Sequence, residues 1–119
     1  MSDTVIYHNP RCSKSRRTLE LLNERGIDAD IVEYLQTPPD EHMLEHILDL
    51  LGMQPRELMR RDEPEYRELG LDDPGLSREQ LIAAMIEHPR LIQRPIVVSS
   101  GKAALGRPPE DVLELFGND

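Results

Sequence analysis

Two short β-rich segments flanking one amphipathic helix constrain this chain more than any other feature. Thr4 to His8 is rich in β-branched and aromatic residues and stops at Asn9-Pro10. From Ser13 onward Leu19, Leu21 and Leu22 recur at helical spacing until Gly26, a residue suited to the position just past a helix end. Ile31-Val32-Glu33-Tyr34-Leu35 then reads as a second strand. Two strands joined by a helix of this length pair in parallel through a right-handed crossover. The spacing therefore predicts an α/β protein, with Cys12 at or just before a helix N-terminus.

The rest of the chain completes that layout. Pro38-Pro39-Asp40 opens a helix with Met43, Leu44, Ile47, Leu48 and Leu51 on one face, ending at Gly52. Short helical pieces are expected from Pro55 to Arg61 and from Pro64 to Leu69. Ser77-Arg78-Glu79-Gln80 is an N-cap and first-turn pattern for a helix running to Glu87, closed by His88-Pro89. Ile96-Val97-Val98 reads as a buried strand, Ser100-Gly101 as a two-residue hairpin turn and Lys102 to Gly106 as its partner. Pro108-Pro109 opens a last helix. The order is that of a thioredoxin-like fold: a mixed four-stranded sheet with an inserted helical segment over about residues 39–88, in a single domain spanning 1–119. Pro95, immediately before a strand, stands where such proteins carry a cis proline beside the active cysteine.

Charge narrows the function classes. Fourteen Lys+Arg against 23 Asp+Glu give a net charge of −9, which disfavours nonspecific binding to nucleic acid or to an anionic membrane surface. No apolar run approaches the roughly 20 residues that span a bilayer, and Met1-Ser2-Asp3-Thr4 does not begin a signal peptide, so a cytoplasmic monomer is expected. Against the acidic total, residues 1–26 hold five basic side chains (Arg11, Lys14, Arg16, Arg17 and Arg25) and three acidic ones. The surroundings of Cys12 are locally basic.

Cys12 is the one cysteine, so an internal disulfide and a thiolate metal cluster are both excluded, and any redox cycle needs outside thiols. Lone cysteines are commonly small buried hydrophobes. Here the helix N-terminus and the adjacent Arg11, Lys14 and Arg16 predict a lowered thiol pKa. The free N–H groups there, with the hydroxyls of Ser13 and Ser15, would also cradle an oxyanion against the sulfur. His8 either supports the thiolate, by charge or by proton transfer, or only caps the strand end. Arg60, Arg94 and Arg107 are further candidates. The last two flank the hairpin whose start would face the cysteine loop, and their planar forks suit a tetrahedral oxyanion. His42-Met43-Leu44-Glu45-His46 matches the H-x-x-E-H pattern of zinc proteases, but without a strand-rich protease domain it reads as the polar face of a helix. No metal and no bound cofactor are expected.

Several stretches together resemble one family. They are Ile6-Tyr7-His8-Asn9-Pro10-Arg11-Cys12-Ser13-Lys14-Ser15-Arg16, Tyr34-Leu35-Gln36-Thr37-Pro38-Pro39, Leu58-Met59-Arg60-Arg61, Glu65-Tyr66-Arg67-Glu68-Leu69-Gly70-Leu71, and Glu87-His88-Pro89-Arg90-Leu91-Ile92-Gln93-Arg94-Pro95-Ile96. The chain resembles the glutaredoxin-dependent arsenate reductases of the ArsC family, which also contains the Spx transcriptional regulators. The resemblance implies Cys12 as nucleophile, Arg60, Arg94 and Arg107 as an oxyanion-binding triad, and His8 and Ser15 as groups that favour the thiolate. It also implies arsenate as substrate, glutathione as co-substrate and glutaredoxin as protein partner. Ser13-Lys14 departs from the small, uncharged pair that follows the cysteine in the best-known reductases.

Two other readings stay open at this point. An Spx-like regulator would bind RNA polymerase and use the cysteine as a sensor, but its usual C-x-x-C switch is interrupted here by Ser15. A glutaredoxin-like reductase of glutathionylated proteins would also work with one cysteine.

Overall fold

The structure is a computed structural model that describes residues 3–116. The chain divides into two compact units, one formed by the residues up to Thr37 together with those from Arg94 onward, the other by Pro38–Gln93.

The first unit holds strands β1 (Thr4–His8), β2 (Asp30–Glu33), β3 (Ile96–Ser99) and β4 (Lys102–Leu105), with helix α1 (Ser13–Glu24) and a 3-10 helix over Pro109–Phe116. The sheet order is β2-β1-β3-β4. β1 pairs parallel with β2, Ile6 opposite Ile31, and antiparallel with β3, Ile6 opposite Val97; β4 runs antiparallel to β3. This is the mixed four-stranded sheet of a thioredoxin-like fold. Ile6, Leu22, Val97 and Val112 are fully buried, with Leu19, Ile27, Leu113 and Phe116 packed around them. Full burial of each such side chain contributes about 1.5–3 kcal/mol. A side-chain cap contributes about 1 kcal/mol, and α1 has none at Cys12, nor any acidic residue in its first turn. Packing of its apolar face therefore holds the helix, and its N-terminal N–H groups stay available.

The second unit contains α2 (Glu41–Leu51), α3 (Pro64–Glu68) and α4 (Arg78–Glu87), with 3-10 turns at Pro55–Leu58 and Pro89–Leu91. Asp40 caps α2 by accepting from the Met43 N–H at 2.8 Å. Ser77 and Gln80 form a reciprocal capping box at the start of α4, with bonds of 2.8 and 3.1 Å. α2 packs on α4, and Leu44, Ile47, Leu48, Leu81, Ile82 and Met85 are buried. This unit continues past residue 88 to Gln93, because its last segment pairs back on an earlier one. Met59 bridges Ile92, the Arg60 N–H donates to the Leu91 carbonyl at 2.6 Å, and the Gln93 N–H donates to the Leu58 carbonyl at 2.8 Å.

Two elements differ from the sequence expectation. β2 ends at Glu33, not Leu35: among the described residues it is an edge strand whose ladder partner, β1, stops at His8 opposite Glu33. Beyond that point the chain turns, with the Gln36 and Thr37 N–H groups both donating to the Glu33 carbonyl at 3.0 Å. The last helix is 3-10 and starts at Pro109. Its packed residues recur at intervals of three, Val112 with Leu115 and Leu113 with Phe116, which a helix of three residues per turn stacks in rows. The hairpin is as expected. Ser100 and Gly101 both have positive φ, 50° and 78°, giving the type I′ turn that matches strand twist.

Candidate active site

β1 delivers His8 and Asn9 to the loop that precedes α1, and a set of short bonds fixes that loop. The Cys12 N–H donates to the Asn9 carbonyl at 3.0 Å, and the Arg11 N–H donates to Asn9 Oδ1 at 3.0 Å. Asn9 in turn donates its own N–H to Ser15 Oγ at 3.0 Å, while His8 Nδ1 lies 2.6 Å from the same oxygen. Ser15 is fully buried, and His8 and Asn9 nearly so. One side chain on the first turn of the helix thus ties the strand end to the loop, and Cys12 is presented as the N-cap residue with extended backbone angles.

The Cys12 sulfur is half-buried. Burial pushes its pKa up, but the Ser15 N–H, the hydrogen-bonding and charged Arg94 guanidinium and the Lys14 N–H outweigh that, leaving it below the ordinary thiol value. The sulfur makes no side-chain cap hydrogen bond, so the two amides act on it as fixed partial charges of the helix end. His8 moves in the opposite sense from a charged supporter. Burial lowers its pKa; Glu33 raises it and Arg16 lowers it, with a net decrease that favours the neutral imidazole.

Arg94 and Arg107 come to the first unit from either end of the β3–β4 hairpin. The peptide bonds Arg94-Pro95 and Arg107-Pro108 are both cis. The Arg107 NH1 donates to the Arg94 carbonyl at 3.2 Å, and the Gly106 N–H donates to the Pro95 carbonyl at 2.9 Å. Arg94 Nε is buried without a hydrogen-bond partner. Within this unit the structure therefore joins Arg107 to Arg94, Arg94 to Cys12, and Ser15 to His8. Arg60 belongs to the second unit, where its NH1 donates to Glu63 Oε2 at 2.7 Å.

The sequence profile of the ArsC family matches residues 7–115 of the chain. The chain belongs to the ArsC family. It is 58% identical over 113 residues to an uncharacterised Escherichia coli protein, covering 94% of this chain and 95% of that protein. It is 51% identical to the arsenate reductase of Neisseria meningitidis serogroup A, covering 94% of this chain and 97% of the relative. Among solved structures it is similar to the arsenate reductase from Vibrio cholerae, with a TM-score of 0.91 at 53% identity over 93% of this chain and 95% of the other.

Two residues of this ArsC chain that shape the surroundings of Cys12 and Arg94, and one partner of Arg60 within the second unit, were not singled out by sequence reasoning. Asn9 served only as a strand stop, although Asn before Pro at a strand end is also a pattern for the side-chain turn it makes with Arg11. Gly106 sits where an added Cβ would lie 2.5 Å from Thr18 Oγ1 and 2.7 Å from Pro95 Cγ, a close approach with no local signal in the sequence. Glu63 lies three residues after Arg60, a spacing that could have suggested the pair. The His42 and His46 pattern lies on α2, where Glu45 is held by Arg78 at 2.8–3.2 Å. Among the described residues no group of three or more His, Cys, Asp or Glu could hold a metal ion, and no helix is long and apolar enough to cross a membrane.

Proposed function

We propose that this chain is an arsenate reductase that uses Cys12 as nucleophile, with glutathione and glutaredoxin supplying the reducing thiols. The observation that carries this reading is a lone thiol at the uncapped N-terminus of α1, with the Arg94 guanidinium beside it and its pKa lowered. A thiolate and an arsenate dianion repel each other. Arginine forks at the same place offset that repulsion and stabilise charge on the oxygens as the sulfur attacks.

The reaction then runs in four steps. The Cys12 thiolate attacks As(V), a sulfur–arsenic bond forms, and one arsenate hydroxyl takes a proton from solvent and leaves as water. Glutathione forms a second sulfur–arsenic bond, and another oxygen leaves as water. A glutaredoxin thiolate attacks the glutathione sulfur; the electron pair of that sulfur–arsenic bond passes to arsenic, which becomes As(III), and glutaredoxin departs as a mixed disulfide with glutathione. Water hydrolyses the remaining bond, releasing arsenite and restoring Cys12.

In this reading Arg60, Arg94 and Arg107 bind the oxyanion, and Ser15 manages the proton. Ser15 Oγ already accepts from the Asn9 N–H, so its single hydrogen goes either to His8 Nδ1 or toward the sulfur. When His8 carries its proton on Nδ1, it donates to Ser15 and frees the hydroxyl for the thiolate. The test is arsenate-dependent NADPH oxidation coupled through glutathione reductase, with glutathione and glutaredoxin omitted in turn. Turnover is expected only with both present. Full turnover without glutaredoxin, or reduction of a glutathione mixed disulfide but not of arsenate, would overturn the reading.

A further inference from the structure

Arg60 does not stand alone in the second unit. Its backbone is pinned on both sides, by the N–H bond to the Leu91 carbonyl and by the Glu63 N–H, which donates back to the Arg60 carbonyl at 3.2 Å. Glu63 is itself fixed as the residue before Pro64, with extended backbone angles at the start of α3. Its carboxylate meets Arg60 NH1 through Oε2 at 2.7 Å and Arg90 NH2 through Oε1 at 3.2 Å. The Arg60 and Glu63 side chains are only 19% and 13% exposed, whereas Arg90 is 64% exposed. Arg90 also reaches Glu65 Oε2 at 3.7 Å, so it bridges two carboxylates. Among the described residues, Arg60 Nε and NH2 have no hydrogen-bond partner.

A guanidinium held by one N–H on a rigid carboxylate keeps its other edge free and aimed. The carboxylate also has a cost: on its own it would cancel the charge that an oxyanion needs. Arg90, on the second oxygen of the same carboxylate at 3.2 Å and farther from Glu65 at 3.7 Å, draws on the Glu63 charge and leaves less of it to cancel that of Arg60. We infer that Glu63 is the positioning residue for Arg60, and that Arg90 acts through Glu63 to keep the Arg60 charge available to the substrate oxyanion. This rests on the assignment of Arg60 to oxyanion binding.

The geometry separates positioning from charge. Glu63→Gln keeps an acceptor for Arg60 NH1 and removes the negative charge, whereas Glu63→Ala removes both. Arg90 is exposed, so its effect should be small and screened by salt. The experiment measures KM and kcat for arsenate, together with the arsenate concentration that protects Cys12 from iodoacetamide, in wild type, Arg60→Ala, Glu63→Ala, Glu63→Gln, Arg90→Ala and the Glu63→Gln/Arg90→Ala double variant. Glu63→Ala should raise KM and the protecting concentration about five- to tenfold with kcat changed less, and Glu63→Gln should restore both to wild type or better. Arg90→Ala should raise KM about two- to fivefold at low salt, and the effect should vanish in the Glu63→Gln background. Wild-type values for Glu63→Ala alongside a weakened Arg60→Ala would overturn the inference while leaving Arg60 in the site. Wild-type values for Arg60→Ala would instead remove Arg60 from the site, and the inference with it. An Arg90→Ala effect of equal size in both backgrounds would show that Arg90 does not act through Glu63.

Discussion

Replacing Gly106 by alanine tests the packing that carries Arg94 and Arg107. The added methyl would sit 2.5 Å from Thr18 Oγ1, 2.7 Å from Pro95 Cγ and 3.2 Å from Pro95 Cδ. Favourable contact begins near 3.5 Å, so the surfaces must part by about 1 Å. Thr18 can rotate away only by giving up its bond to the Lys14 carbonyl at 2.8 Å. The Pro95 ring cannot rotate at all, and the 2.9 Å bond from the Gly106 N–H to the Pro95 carbonyl resists separation of the two backbones. Overpacking of this kind costs about 1–3 kcal/mol, and weakening one hydrogen bond adds about 1 kcal/mol. The sum, about 3 kcal/mol, corresponds to a fall in Tm of roughly 10–15 °C for a chain of this size. Thermal unfolding followed by circular dichroism measures it, and arsenate turnover below the transition reports whether the arginines have moved. Turnover should fall through a raised KM. A Tm within about 2 °C of wild type would show that the close approach is not a real constraint.

Three other outcomes follow from the same geometry. Arg94→Ala removes a cation that favours the thiolate, so the pH midpoint of Cys12 alkylation by iodoacetamide should move upward while Tm stays nearly unchanged, because Arg94 Nε has no partner to orphan; an unmoved midpoint would separate Arg94 from the thiol. The His8 pKa is lowered in the folded state, so the unfolded chain takes up this proton first, near pH 6.5. Native stability from this residue is therefore full above that pH and declines as pH falls toward the folded-state pKa. The Tm advantage of wild type over His8→Gln should narrow between pH 7.5 and pH 5.5, and a constant gap would contradict a depressed His8 pKa. Arg60→Lys should raise the KM for arsenate several-fold, since one ammonium cannot hold Glu63 and present a second planar edge; unchanged kinetics would speak against a fork at that position.

What could be read from the residues, and what could not, divides along physical lines. β1, α1, α4 and the Ser100-Gly101 turn were legible because β-branched and aromatic composition, helical periodicity, a capping box and turn chemistry act within a few residues of each other. The end of β2 was not, because it is set by where a partner strand stops, and Tyr34 and Leu35 have the composition of a strand with no ladder to join. The placement of Cys12 at a helix N-terminus came from local punctuation around Asn9-Pro10. The clasp of Ser15 on His8 and Asn9 spans only one loop, yet it depends on which way a side chain turns, and periodicity does not encode that. Gly106 against Thr18 and Glu63 between two arginines depend on contacts fixed only once the chain has folded.

The reductase reading stands or falls on one comparison. Arsenite formed from arsenate should be measured directly, in the presence of glutathione and glutaredoxin, for wild type and for Cys12→Ser of matched Tm. Wild type should turn over repeatedly, and Cys12→Ser should stay at the level of the mixture without enzyme. Equal arsenite from the two proteins, or none above that level from a folded wild type with a titratable thiol, would contradict it.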